Sequence, residues 1–183
     1  MIRRGLSAIV MIALSASHTH IAIAAPYGSV PGIYMQVASA YGIPTTMLYA
    51  VALAESGKHV KRLNATQPWP WTLNIEGEGQ YFPNRHAAVE AGHQALSTGI
   101  RSVDMGLMQV NWGYHKAALR SVESAIDPLY NLQVGARILA DCYRARRDWW
   151  AAVGCYHAPT NAERAARYSG RVRQIWLQVR KVN

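Results

Sequence analysis

The sequence has 183 residues, 50% of them apolar and only 16% charged, with a formal net charge of +9. That length suits one domain with a real core and is short for two, and the composition excludes a disordered chain. The basic excess suits an anionic partner, whether nucleic acid, anionic lipid or a cell-wall polymer. No nucleic-acid fold signature accompanies it, and apart from Arg144, Arg146, Arg147 and the stretch 164–180 the basic residues are scattered. Nucleic acid is therefore not an expected partner, and a solvated basic face is the plainer reading.

The first residues read as an export signal. Met1-Ile2-Arg3-Arg4 is a positive start, 6–16 is mostly apolar, and Ala22-Ile23-Ala24-Ala25 offers small residues for cleavage after Ala24 or Ala25. The apolar run is too short to span a bilayer stably, which favours a cleaved signal over an uncleaved anchor. The expected division is a signal peptide over 1–25 and a mature domain over 26–183, periplasmic or secreted. Loss of Arg3 and Arg4 would lower the formal charge from +9 to +7. No later stretch is apolar enough to suggest a stable transmembrane segment.

A helix is expected over 33–41, ended by Gly42 and Pro44. A second helix, capped by Thr45 or Thr46, runs to Ser56 with Gly57 as its stop. It is apolar nearly all round, so it should be buried. Gln67-Pro68-Trp69-Pro70-Trp71 then breaks helix. Residues 71–75 read as a strand, Glu76-Gly77-Glu78-Gly79 as turn chemistry and 80–82 as the returning strand, giving a β-hairpin around 71–83. Asn84 caps a helix to about Ser97, followed by Gly99. Asp127-Pro128 pairs an N-cap with a proline at the first helical position, opening a helix to about Arg144. Asp148 caps another to about Tyr156, and 170–181 forms the last. The fold class is mainly α: a single helical domain, α+β in character, with a small β-hairpin inserted in its first half.

Cys142 and Cys155 are the only cysteines. In an oxidising compartment an even pair favours a disulfide over two buried free thiols, and closing that loop would contribute about 3 kcal/mol in the chain-entropy model. There is no CxxC, and the seven histidines form no HExxH or similar pair. No metal site and no cofactor is expected.

Two segments carry candidate chemistry. Leu48, Ala52 and Glu55 fall at i, i+4 and i+7, so the Glu55 carboxylate shares a face with apolar neighbours. It also ends its helix, where the dipole disfavours an anion. Burial and dipole both raise a carboxylate pKa toward what a general acid needs near neutral pH, although an exposed helix-end glutamate is an equal reading. The second segment is Asp104-Met105-Gly106-Leu107-Met108-Gln109-Val110-Asn111-Trp112. Gly106 permits close backbone approach or an unusual dihedral, and Gln109 and Asn111 supply amides. By itself it reads as a turn leading into a core segment.

Together these pieces resemble a known family. Ala54-Glu55-Ser56 followed by Gly106-Leu107-Met108-Gln109 is similar to the paired glutamate–serine and GLMQ motifs of soluble-type (SLT) lytic transglycosylases, which have a goose-lysozyme-like fold. Asp127-Pro128-Leu129-Tyr130-Asn131 into Gly135-Ala136-Arg137-Ile138-Leu139 resembles the family's next helix, and Ala151-Ala152-Val153-Gly154-Cys155-Tyr156-His157 resembles the one after it. Each motif is weak alone, but four in order are specific, and they cover about 33–168. The resemblance implies an enzyme that cleaves the MurNAc-β-1,4-GlcNAc bond of peptidoglycan without water. Glu55 would protonate the glycosidic oxygen and then act as base on the MurNAc C6 hydroxyl, leaving a 1,6-anhydro end. Ser56 would support the glutamate. Gly106, Met108 and Gln109 would belong to the glycan-binding loop, with Met108 and Gln109 lining the cleft. Tyr156 would hydrogen-bond near Glu55, and Asn131 would secure local backbone.

The chain departs from the family pattern in two places. The usual tyrosine–asparagine pair is Tyr156-His157, and the following glycine gives way to Ala158-Pro159. The interval between Glu55 and Gly106 is long and holds Trp69, Trp71, Tyr81 and Phe82, which read equally as a sugar-stacking platform or as the hairpin's own small core. Its Pro-Trp-Pro-Trp-Thr-Leu-Asn stretch resembles transglycosylases carried by conjugation and secretion systems, so such an apparatus is the further partner the resemblance implies for an expected monomer. Asp104 is either a turn residue or a second carboxylate, which would favour attack by water and make the enzyme a lysozyme; a non-catalytic peptidoglycan-binding protein is the remaining alternative.

Overall fold

The computed structural model describes residues 27–182, so the expected signal peptide lies outside the described residues. Helix α1 (Gly32–Tyr41) closes on Gly42, whose φ of 65° supplies the left-handed C-cap. The chain turns through Ile43 and Pro44 into α2 (Thr45–Ser56). The expected threonine cap is absent: Pro44 is the N-cap residue and makes no side-chain cap bond, while Thr46 accepts a hydrogen bond from Trp176 Nε1 at 3.0 Å. The seven consecutive residues from Met47 to Leu53 are buried, as the unbroken apolar run requires. This helix is the axis around which the rest packs.

Strand β1 (Gly57–Val60) leaves α2 directly, and a single 3-10 turn (Lys61–Leu63) returns it as β2 (Ala65–Pro68), with Gly57 opposite Pro68. The inserted hairpin follows as β3 (Thr72–Ile75) and β4 (Glu78–Tyr81). Ile75 pairs with Glu78, so the loop is two residues, Glu76 and Gly77, at φ of 52° and 98°. Both are positive, as the tight mirror-image turns that match strand twist demand. The return strand therefore begins at Glu78 rather than Gln80, because the turn is shorter than its glycines suggest.

Asn84 accepts a hydrogen bond from Ala87 N at 2.9 Å and opens α3 (Arg85–Ser97). The stretch after it forms β5 (Val103–Met105) and β6 (Val110–Asn111), which join the hairpin in a four-stranded sheet ordered β4-β3-β5-β6. The segment around Gly106 is thus a strand–loop–strand at a sheet edge. Helices α4 (Trp112–Leu119), α5 (Val122–Ala125), α6 (Pro128–Arg146), α7 (Trp149–His157) and α8 (Ala162–Val179) complete the chain. Asp127 and Asp148 cap α6 and α7 through Tyr130 N and Ala151 N. The last helix starts at Ala162, well before the expected residue 170, because Asn161 caps it by accepting from Arg164 N at 2.9 Å.

The sulfurs of Cys142 and Cys155 are bonded, tying α6 to α7. Replacing both by serine is expected to cost about 3 kcal/mol, read as a lower urea midpoint. A midpoint equal to wild type would show that the link adds nothing to stability. Among the described residues no single helix is long and apolar enough to cross a membrane.

Candidate active site

Glu55 occupies the last turn of α2 and is partly buried. Burial pushes its carboxyl up from 4.5 to about 7, and Asp104 adds to the rise, while a hydrogen bond from Tyr168 and the charge of Arg171 act against it. At the helix end, Leu53 O is engaged by Gly57 N and Ser56 O by Trp69 N. Tyr168, on α8, donates its hydroxyl to Glu55 Oε1. The phenol is itself buried, so burial first and the adjacent carboxylate second hold its own pKa well above the ordinary value.

Ser56 does not touch the carboxylate. It is fully buried, and its hydroxyl lies 2.7 Å from Leu107 O and 3.2 Å from Ala52 O. The longer-range bond staples the end of α2 to the 106–109 loop. Gly57 has an ordinary φ of −59°, but a Cβ there would lie 2.4 Å from Leu53 O. It is a glycine because the chain leaves the helix so tightly, rather than because it forms a left-handed cap.

The 106–109 loop is set by α6. Gly106 has φ of 77°, and a Cβ on it would fall 2.6 Å from Asn131 Cγ. Asn131 is completely buried and uses both ends of its amide. Its oxygen accepts from Met108 N at 2.8 Å, and its nitrogen donates to Met105 O at 2.8 Å and Ala125 O at 2.9 Å. Gln109, at φ of 43°, turns its amide nitrogen onto Gly106 O and Thr72 O at 2.9 and 3.1 Å. Its side-chain oxygen is left without a protein partner among the described residues, at the loop's partly exposed position.

One expected placement needs correction. Met108 is 0% exposed, and a Cβ on Gly135 would lie 2.5 Å from Met108 Cβ, so its side chain fills the core against α6 and cannot line a cleft. Tyr156 makes its hydrogen bond to the loop beside Glu55, its hydroxyl donating to Met108 O at 2.6 Å. Burial, then the fields of Glu55 and Asp104, raise its pKa well above the usual value, so it stands close to both carboxylates. Asp104 is no turn residue. It lies in β5 opposite Asn111, which donates to Oδ1 at 2.7 Å, and burial lifts its pKa against that bond.

The aromatic insertion divides between its two readings. Trp71 and Phe82 pack on the main core. Trp69 and Tyr81 stay at the surface side, bound by Trp69 Nε1 to Phe82 O at 2.7 Å and Tyr81 Oη to Gly57 O at 2.8 Å. Lys58 sits over both rings, 4.2 Å from the Trp69 centroid and 5.5 Å from that of Tyr81. This cluster begins three residues after Glu55. Among the described residues no group of three or more His, Cys, Asp or Glu side chains is placed to hold a metal.

The arrangement offers one proton-bearing carboxyl tuned close to neutrality, a phenol that fixes it, and a loop edge beside it with a free amide oxygen. Sequence reasoning missed Tyr168. Its signal was the run Tyr168, Val172, Ile175 and Val179 at i, i+4, i+7 and i+11 after the Asn161 cap. Tyr168→Phe removes a bond that lowers the Glu55 pKa. The alkaline limb of the activity profile, where Glu55 loses its proton, is expected to move to higher pH in that variant. A profile superimposable on wild type would remove Tyr168 from the tuning of Glu55.

The model of the transglycosylase SLT domain matches residues 33–178, a span holding Glu55, the 106–109 loop, Tyr156 and Tyr168. The chain belongs to the SLT transglycosylase family. It is an enzyme of lytic transglycosylase type, acting on peptidoglycan. Invasion protein IagB of Salmonella typhimurium is 34% identical over 116 residues, covering 60% of this chain and 71% of that protein, and the Salmonella typhi protein of the same name matches equally. No solved structure matches with significance. The mainly helical fold with small antiparallel sheets is that expected of this lysozyme-like family.

Proposed function

We propose that this SLT enzyme cleaves the MurNAc-β-1,4-GlcNAc bond through Glu55 alone, releasing 1,6-anhydroMurNAc ends. The observation that carries this reading is the Glu55 carboxyl raised to about 7 with Tyr168 bonded to it. A carboxyl at that value is protonated often enough to donate to the leaving oxygen and weak enough as an acid to take a proton back near neutral pH. With a single tuned carboxylate, the N-acetyl group of the sugar supplies the stabilisation that a second carboxylate gives in ordinary glycosidases. The conjugate base then draws the proton from the C6 hydroxyl, whose tethering to the same ring favours it over water. Gln109, and Trp69 and Tyr81 with Lys58, are the groups offered to the glycan; Ser56, Gly106, Met108, Tyr156 and Asn131 hold the loop and the helix end in register.

The chain is proposed to be exported by its signal and to act in the periplasm. A relative that is an invasion protein, together with the Trp-rich insertion, supports service to an envelope-spanning secretion or conjugation apparatus through local wall opening. Digestion of purified sacculi tests the chemistry: anhydro-muropeptides are the expected product. Asp104 favours a second reading, because its partly buried carboxylate lies within electrostatic reach of Glu55 and would assist a water. Reducing-end MurNAc in the digest would establish that hydrolytic outcome and overturn the anhydro reading.

A further inference from the structure

Helix α8 carries a basic stripe that cleavage of the glycan does not use. Arg164, Tyr168 and Arg171 fall at i, i+4 and i+7, on one face of the helix. Tyr168, in the middle, is the phenol that holds Glu55. Its ring lies flat against His157, with centroids 4.4 Å apart and 6° between planes, and the Arg171 guanidinium is 5.2 Å from the ring centroid. Arg164, Arg171 and His157 are all exposed. The neighbouring arginines are otherwise engaged: Arg167 pairs with Glu163, Arg173 covers Trp150 and Arg180 covers Trp176. Arg164 and Arg171 form no ion pair among the described residues. Burial, then the fields of Arg164 and Arg171, hold the His157 imidazole below its ordinary pKa, so the three groups share one electrostatic neighbourhood.

Two guanidiniums outside any ion pair, one of them laid on the phenol beside the reacting group, match an anion carried by the substrate. The glycan itself is uncharged where each MurNAc lactyl group is amide-bonded to its peptide, and the carboxylates of peptidoglycan lie on that stem peptide. We propose that Arg164, Arg171 and the exposed edge of His157 form a subsite for a stem-peptide carboxylate of the strand seated at Glu55. The proposal rests on the glycan-cutting reading of that site. Guanidinium forks suit the planar carboxylate in paired hydrogen bonds, and the Arg171 guanidinium lies over the Tyr168 ring beside the reacting carboxyl. His157, standing where the related motif has asparagine, adds a ring N–H that is available when the imidazole is neutral.

Soluble peptidoglycan strands and the same strands with their carboxylates converted to primary amides distinguish the cases. Purified wild-type protein is expected to cleave the acidic strands with kcat/KM about tenfold higher. In Arg164→Gln/Arg171→Gln that ratio is expected to fall toward one, whereas Arg167→Gln/Arg173→Gln, an equal change of charge on the same helix, keeps it. Equal rates of the wild-type protein on both strands would overturn the subsite while leaving the glycan reading intact. An Arg167→Gln/Arg173→Gln ratio that falls as far would also overturn it, by reducing the preference to general charge attraction. A wild-type protein inert toward both strands would overturn the glycan reading and the subsite with it.

Discussion

Glu55→Gln is expected to abolish release of anhydro-muropeptides from sacculi, with a loss of about 10²–10⁴-fold or more, while circular dichroism and the oxidised Cys142–Cys155 link stay as in wild type. The amide is isosteric and still accepts from Tyr168 Oη, so packing is preserved and only the transferable proton is lost. Stability gives a second, independent readout. The folded pKa of Glu55 is raised from 4.5 to about 7, so the folded state binds the proton more tightly than the unfolded chain. The stabilising contribution is therefore complete below the unfolded value and is lost as pH rises from 4.5 through about 7. Above that window wild type carries a buried carboxylate that the amide variant lacks. Glu55→Gln should consequently melt higher than wild type at alkaline pH, with the difference shrinking toward acid. A variant that keeps turnover would sink the catalytic assignment, and one with no pH-dependent gain would contradict the buried, uptitrated carboxyl.

Asn131→Ala is expected to produce the largest loss of stability from a single polar side chain, on the order of 3–5 kcal/mol. The amide satisfies Met108 N, Met105 O and Ala125 O in a region that no solvent reaches. Truncation removes all three bonds and opens a cavity beside Gly106, where the loop already adopts a positive φ. Against a usual folding stability of about 5–15 kcal/mol, that loss would leave a measurable unfolded fraction. Urea unfolding reads it directly, and a cost below about 1 kcal/mol would show that the loop is held by other means. The 106–109 loop should also lose its fixed relation to Glu55, so activity should fall further than the folded fraction does.

The helices with polar caps were legible because the signal is local. Asn84, Asp127 and Asp148 each accept the backbone N–H that their position predicts. The apolar run from Met47 to Leu53 announced a buried helix in the same way. Where the reason for a residue lies far away in sequence, the reading failed. Met108 looked like a cleft residue because nothing nearby reveals that Gly135 makes room for its side chain. Strands β1, β2, β5 and β6 are two to four residues long and exist only through pairing, so no alternation could disclose them. The start of α8 was lost because residues 161–169 are largely polar, and their one buried anchor, Tyr168, reads as an isolated aromatic until its helical spacing to Val172 and Val179 is considered.

Helix α2 is joined to α8 by hydrogen bonds between residues 113 apart, Glu55 and Tyr168, and 130 apart, Thr46 and Trp176. Contacts at that separation carry a large loop-closure entropy and depend on everything between them being in place. A partly folded molecule, or one nicked in the interval, can possess α2 with its glutamate and yet hold it in water at an ordinary carboxylate pKa. The carboxyl holds its proton near neutral pH only when the two ends of the domain meet. For an enzyme whose substrate is a load-bearing wall, topology thus acts as a proofreading step, coupling the capacity to cut to completion of the fold.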